Sequence, residues 1–261
     1  MKRKNKTVPY IILILTCIFM LLPFVATLAY SFVVGWSKLV PDGWTTRYWV
    51  QAFTEPDLWP SIVRGVLISI PPIIICNVIV ILALYTSVVY YPSLEKYIQT
   101  VCMIPNSLKG VTIAIPVLAL YAGTPTIFSN RMVMLVCIYC ICILPFVYQG
   151  IRNTLHGINV RQLLEAAEIL GAGKLYAFAR IILPNMLAGI LVSSLLSLSI
   201  VFGDFAIIRI IAGNKYQTIQ MLLYNSRLVV LQYQCVIVII MFAATFVISQ
   251  VVFTLQNRKK G

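Results

Sequence analysis

Polar positions along this chain are gathered into a few short stretches, and long apolar blocks run between them. The blocks lie at 8–34, 61–90, 97–121, 131–150, 185–211 and 233–255. Each reaches the roughly 20 residues that a helix needs to cross the hydrocarbon of a bilayer. Their apolar residues form continuous runs, where a surface helix or half-buried strand would show them on one face. The pattern predicts six membrane-spanning helices in an all-α transmembrane fold, with residues 1–261 forming a single domain.

Composition removes the soluble alternatives. Hydrophobic residues make up 61% of the chain and charged residues 10%, against roughly 45–50% and about 25% in an ordinary soluble domain. A soluble enzyme, a disordered chain and a nucleic-acid module are excluded. The net charge of +13 points to membrane topology once its placement is read. Lys2, Arg3, Lys4 and Lys6 precede the first block, Arg258, Lys259 and Lys260 follow the last, and Arg152, Arg161, Lys174 and Arg180 share the polar segment 151–184. Basic segments beside spans stay cytoplasmic. With an even number of spans, both termini and the 151–184 segment are expected there, with no nucleic-acid partner and with anionic lipid as a contact. Arg64, Arg131 and Arg209 fall near the predicted outer ends, where they can snorkel to the interface.

The first block has a basic start and an apolar core like a secretory signal. It runs on to Val34 without a clean cleavage pattern, so it is expected to be a retained helix. Pro23, Pro71, Pro72, Pro105, Pro116 and Pro145 lie inside the blocks and are expected to kink or break them. Such irregular backbone survives in a membrane where protein buries it or where it lines a cavity. The stretch 35–60 carries Trp36, Trp44, Trp49 and Trp59 and predicts an interfacial belt or short amphipathic helix.

The polar segment 151–184 reads as two short helices around a glycine turn. Asn159 and Gln162 suggest a capping box, Leu163, Leu164, Ala167 and Leu170 recur at helical spacing, and Gly171-Ala172-Gly173 ends the first helix. A second helix is expected over 174–182, with Leu183-Pro184 leading into the next span. A helical hairpin projecting from a membrane domain is a docking element. Within it, Glu165-Ala166-Ala167, then Gly171 after three residues, then Ile181-x-Leu183-Pro184 resembles the EAA loop of bacterial ABC importer permeases. Together with six spans and its place between the fourth and fifth, the segment makes the chain similar to a type I, binding-protein-dependent importer permease.

The resemblance implies a six-helix permease fold in a bacterial inner membrane, with a cytoplasmic coupling helix that sits in a groove of a separate ATPase. In that role Ala166 and Ala167 let the helix approach its partner, Glu165 offers a carboxylate, Gly171 sets the turn and Pro184 fixes the angle of the next span. Ile181 and Leu183 complete the motif. An ABC ATPase dimer, a second permease subunit, related or identical, and an extracytoplasmic substrate-binding protein are the implied partners. No cofactor is expected on this chain, with ATP and Mg on the partner ATPase. Gly171-Ala172-Gly173-Lys174 is not a phosphate loop of its own, because Leu175 takes the Ser/Thr position and Glu168 the place of the first glycine.

Cys137 and Cys140, with Cys142 on another helical face, read as small apolar packing residues, not a metal or redox pair. His156 has no nucleophile arranged near it, and no catalytic or metal site is expected. Two charges fall inside spans. Asp204 in the fifth costs about 2.5–3.5 kcal/mol to insert and so should face a partner or a cavity, and Lys109 in the third is a possible counter-ion. The pair could be structural, or Asp204 could line the path and favour cationic cargo. The stretch around Gly203-Asp204-Phe205 looks most like the polyamine, ferric-iron and phosphonate branch of these permeases. Spermidine or putrescine is the expected cargo, with ferric iron, 2-aminoethylphosphonate, thiamine or an oxyanion as alternatives. The rival from another class is an ion-coupled secondary carrier, which would need more intramembrane carboxylates than Asp204 supplies.

Overall fold

The computed structural model describes residues 7–35, 42–108, 110–226 and 230–258. Among them the regular structure is helical, apart from one antiparallel bridge between Val33 and Trp44. The helices are α1 (Thr7–Ser31), α2 (Arg47–Thr54), α3 (Leu58–Val89), α4 (Leu94–Met103), α5 (Gly110–Tyr121) and α6 (Arg131–His156), followed by α7 (Val160–Ile169), α8 (Lys174–Ala177), α9 (Leu183–Phe202), α10 (Ala206–Ile211), α11 (Ile219–Asn225) and α12 (Leu231–Arg258). Among the described residues, five stretches are long and apolar enough to cross a membrane: Tyr10–Ser31, Leu58–Val89, Arg131–His156, Lys174–Phe202 and Leu231–Gln250. The sixth apolar block is two pieces, Leu94–Ser107 and Gly110–Tyr121, set at 88°.

That bend is the break expected of Pro105 in the block over 97–121. Pro105 has no N–H and its ring crowds the preceding turn, so α4 tightens into a 3-10 turn at Ile104–Ser107 and Leu108 turns extended with ψ 122°. Pro23, Pro71, Pro72, Pro116 and Pro145, by contrast, all sit inside helices that run on through them. The Pro72 carbonyl is met by the Cys140 thiol at 3.8 Å, a contact between α3 and α6. The block expected over 185–211 is also interrupted, ending as α9 at Phe202 and restarting as α10 at Ala206.

The chain forms two compact units. The first comprises Met1–Pro60 and Leu222–Ala244. Its α1 is apolar on all sides and uncovered, with Leu15 and Phe19 exposed, which suits a helix whose solvent is lipid. Phe24 meets Phe242 edge-on at 4.9 Å. After α1 a ladder of rings, Phe32, Trp49, Phe53 and Trp59, stacks at 5.5–6.2 Å, and the Trp49 indole N–H donates to Ser31 Oγ at 3.3 Å. The expected short helix in this stretch is α2. Trp36 lies outside the described residues.

The second unit comprises Ser61–Met221 and Thr245–Gly261. At its centre is α6, whose Leu135, Ile138, Tyr139, Ile143, Val147 and Tyr148 are buried. Small residues bring α6 and α9 together: a Cβ on Gly150 would come within 2.5 Å of the Ser193 Cβ, and one on Gly189 would overlap Thr154. Close approach through small residues is how helices associate where lipid supplies no hydrophobic drive. Arg64 and Arg131 do more than reach an interface. They donate to the carbonyls of Gln217 (3.5 Å) and Ile211 (3.2 Å), tying the segment after α10 to α3 and the end of α10 to α6.

Candidate functional site

The hairpin begins where α6 ends. The amide of Gly157 bonds the carbonyl of Asn153, and α7 starts three residues later. The expected capping box does not form: Asn159 has ψ 69° and its side chain makes no capping hydrogen bond. The C-terminus of α7 is better built. Gly171 stands at φ +78°, its N–H bonds the carbonyl of Glu168 at 2.9 Å, and the N–H of Ala172 reaches back to Ala167 at 2.9 Å. This is the Schellman arrangement, which needs a residue at home in the left-handed region. The ion pair Lys174–Glu168 at 3.5 Å crosses the turn, and Arg161–Glu165 at 3.0 Å lies along α7. The Lys174 ammonium also lies 5.9 Å over the Tyr90 ring.

Across the turn the chain does not stop at Ile182 as expected. It runs from α8 through a π-helical turn at Phe178–Ile182 straight into α9. Proline explains the wider turn. Pro184 cannot donate to Arg180 and its ring crowds that carbonyl, so the Leu183 N–H reaches one residue further back, to Phe178. Ile182 and Met186 are buried on this rod, Ile181 and Leu183 are half-buried, and Pro184 is exposed. In α7 the motif divides by face. Ala167 is buried in its own unit, whereas Glu165 and Ala166 are exposed. Only Ala166 of the two alanines is therefore open to a partner. At the hairpin tip Ile169 and Leu170 are 86% and 85% exposed, with Leu175 and Tyr176 beside them. Large apolar side chains this bare, on a polar turn, mark a surface awaiting cover.

The second candidate is Asp204, in the gap between α9 and α10. Its Oδ2 accepts from the Tyr139 hydroxyl and from the Ile207 backbone N–H, both at 3.0 Å. The carboxylate thus caps the restarted helix and pins it to α6. Lys109, the expected counter-ion, lies outside the described residues. Asp204, Tyr139 and Asn106 line a cavity of about 270 Å³ under the break after α4. Gly110 allows this meeting of two broken helices, since a Cβ there would come within 2.5 Å of Ile207 Cδ1 and 3.0 Å of Cys142 Sγ. Tyr139 was missed in the sequence, where a tyrosine 65 positions from Asp204 carries no signal of the contact.

A third group was also missed. Glu95 Oε1 accepts from Arg152 Nε at 2.7 Å and pairs with His156 Nε2 at 2.8 Å. Arg152 and His156 stand four apart at the end of α6, a helical-face spacing the sequence did show. The group borders a cleft of about 610 Å³ beside the hairpin, whose walls include Arg161, Glu165 and Glu168. Cys76 Sγ donates to the Cys140 carbonyl at 3.3 Å, joining α3 to α6.

The sequence profile of the family described as "Binding-protein-dependent transport system inner membrane component" matches residues 78–260. A Salmonella typhimurium protein, named provisionally as the permease protein PhnV of a 2-aminoethylphosphonate transport system, is 20% identical over 215 residues, covering 81% of this chain and 79% of that one. A protein of the same name from Salmonella paratyphi A is 22% identical over 194 residues, covering 73% and 71%. In structure, the chain is similar to a chain in the crystal structure of a bacterial ABC transporter involved in the import of the acidic polysaccharide alginate. That match has a TM-score of 0.69 at 18% identity, over 98% of this chain and 96% of the other, and is a likeness of fold.

Proposed function

This chain belongs to the family of inner membrane components of binding-protein-dependent transport systems, and from that premise we propose how it is coupled and what it carries. It is a permease subunit of an ABC importer, with an all-α membrane fold, and its family supplies a transport path, not a catalytic centre. Subunits of this kind work with an ATPase and a substrate-binding protein.

In the reading we favour, the hairpin over 160–184 is the coupling element. The observation that carries it is the pairing of a hydrogen-bonded Schellman turn at Gly171 with the bare apolar tip at Ile169 and Leu170. A lever must be stiff and must have something to push against. Glu165 and Ala166 face the ATPase, while Ala167 and Ile182 root the lever in its own unit. Two ATPases dock beneath two permease chains, and their closure on ATP drives the hairpins together and turns the cavity outward. The basic residues of 151–184 and of both termini support a cytoplasmic position for these segments.

The cargo we favour is a polyamine. Asp204 supports this reading, because a carboxylate lining a cavity with Asn106 and Tyr139 offers a partner to an ammonium group in surroundings of low dielectric. A second reading, 2-aminoethylphosphonate, is favoured by the names of the relatives in Salmonella. That molecule also carries an ammonium group, but its phosphonate would be repelled by Asp204. The test is uptake of labelled spermidine, putrescine and 2-aminoethylphosphonate by cells expressing this chain with its companion ATPase and binding protein. Polyamine uptake, unaffected by excess 2-aminoethylphosphonate, is expected. Uptake of the phosphonate alone overturns the polyamine reading and leaves the permease assignment standing.

A further inference from the structure

Glu95 joins parts of the chain far apart in sequence, in a protein with seven acidic residues against 20 basic ones. The ion pairs of the hairpin are local, spanning four and six positions. Glu95 instead reaches Arg152 and His156, 57 and 61 positions on. Both partners meet the same oxygen, from one face of the last turns of α6. Glu95 and Arg152 are each 27% exposed at the side chain, shielded enough that salt screens their attraction less than that of a fully solvated pair.

The elements on either side give this node its meaning. Beyond His156, only Gly157, Ile158 and Asn159 separate α6 from α7, so Arg152 and His156 stand at the root of the hairpin. Glu95 is the second residue of α4. At its other end α4 is tied to α6 again, by Gln149 Nε2 against Met103 Sδ at 3.2 Å, and then bends by 88° into α5. There Gly110 packs against Ile207 and Cys142, beside Asp204. The α4–α5 segment therefore extends from the hairpin root to the wall of the Asp204 cavity.

We propose that Glu95 is a positioning residue that passes movement of the hairpin to the broken α4–α5 segment, and through it to the Asp204 cavity. This rests on the hairpin being the ATPase-coupling element. Two donors from one helix face converge on one carboxylate oxygen, whereas an amide of the same size keeps an acceptor but no charge. In Glu95→Gln, the hairpin still answers to nucleotide and the α4–α5 segment no longer follows.

The experiment is hydrogen exchange on the full complex, with ATPase and binding protein, in the nucleotide-free state and with a non-hydrolysable ATP analogue. In the wild type, nucleotide is expected to change exchange in both 160–173 and 104–113. In Glu95→Gln the change at 160–173 persists, while that at 104–113 shrinks by about fivefold or more, the scale of an ordinary coupling energy between sites. The charge-swapped double variant, Glu95→Arg with Arg152→Glu, is expected to restore it. If 104–113 responds in Glu95→Gln within about twofold of wild type, Glu95 does not transmit the movement. A variant that loses stability equally in both nucleotide states and keeps the response overturns the proposal in the same way. If Glu95→Gln yields no complex, the charge-swapped variant decides alone: a preserved response supports the proposal and a lost one overturns it. A wild type in which 160–173 ignores nucleotide refutes the coupling role of the hairpin, a separate failure.

Discussion

At Gly171 the backbone stands at φ +78° with no heavy atom within 4 Å of where a Cβ would be. A side chain there meets no neighbour and bears only the conformational penalty of the left-handed region, about 1–2 kcal/mol. Gly171→Ala is therefore expected to loosen the hairpin turn without disturbing the helices, seen as faster amide exchange at Ala172 and weaker retention of the ATPase. Unchanged exchange at Ala172 would contradict the role given to the turn. Asp204 allows a sharper pair of substitutions. Asparagine keeps an acceptor for Tyr139 and Ile207 but loses the charge, so Asp204→Asn should assemble normally and lose transport. Asp204→Ala also loses the cap, at about 1–2 kcal/mol, and should melt earlier in detergent. Equal uptake by wild type and Asp204→Asn would remove Asp204 from the path. The glycine turn was legible because a Gly after a helical run has one strong reading. The Tyr139 partner of Asp204 was not, because spacing along one span says nothing about which face of another it meets. Asn159 shows the opposite error: a capping pattern present in the sequence but unused in the fold.

Among the elements, the apolar blocks were legible; of their interruptions, the one at Pro105 carried a signal and the one at 203–205 did not. Hydrophobicity measures the solvent a segment suits, and a helix broken at 104–110 or 203–205 suits lipid and protein as well as a straight one. Six prolines looked alike in sequence, yet only Pro105 ends its helix within a block, because local packing decides whether a freed carbonyl finds another partner. Pro184 acts more subtly, through the π-helical turn ahead of it. Pro184→Ala restores an N–H for Arg180 and should draw the turn back to α-helix, rotating the hairpin by about 100° relative to α9 for one residue removed from the turn. The expected result is unchanged helix content with loss of ATPase stimulation by the binding protein; normal stimulation would show that the turn does not orient the hairpin. The contact of α6 with α9 makes a stability prediction. Gly189→Val overlaps Thr154 and should cost about 1–3 kcal/mol or more as overpacking, lowering the detergent melting temperature. Gly123→Ala, where nothing lies within 4 Å, should leave it unchanged. Equal melting of the two would argue against the close packing.

For the whole molecule, the decisive features are a bare apolar surface that suits lipid and a hairpin whose apolar tip is uncovered by the described residues. The first explains why hydrophobic residues make up 61% of the sequence. On the proposed reading, the second gives a polar, charged segment over 151–184 between two spans its use, as a lever for another subunit. The resemblance carried by Glu165-Ala166-Ala167 and Gly171 reached the family from the sequence, and the match over residues 78–260 agrees with it. Cargo was less legible, because a single carboxylate such as Asp204 suits any ammonium-bearing molecule. The central claim is that the hairpin couples this permease to an ATPase. It is tested most directly by purifying the tagged chain in detergent, wild type against Glu165→Arg/Gly171→Asp, and measuring the ATPase that accompanies each. Wild type should retain an active ATPase that the double variant, still folded, has lost. Equal recovery of ATPase by both, or none with the folded wild type, would contradict it.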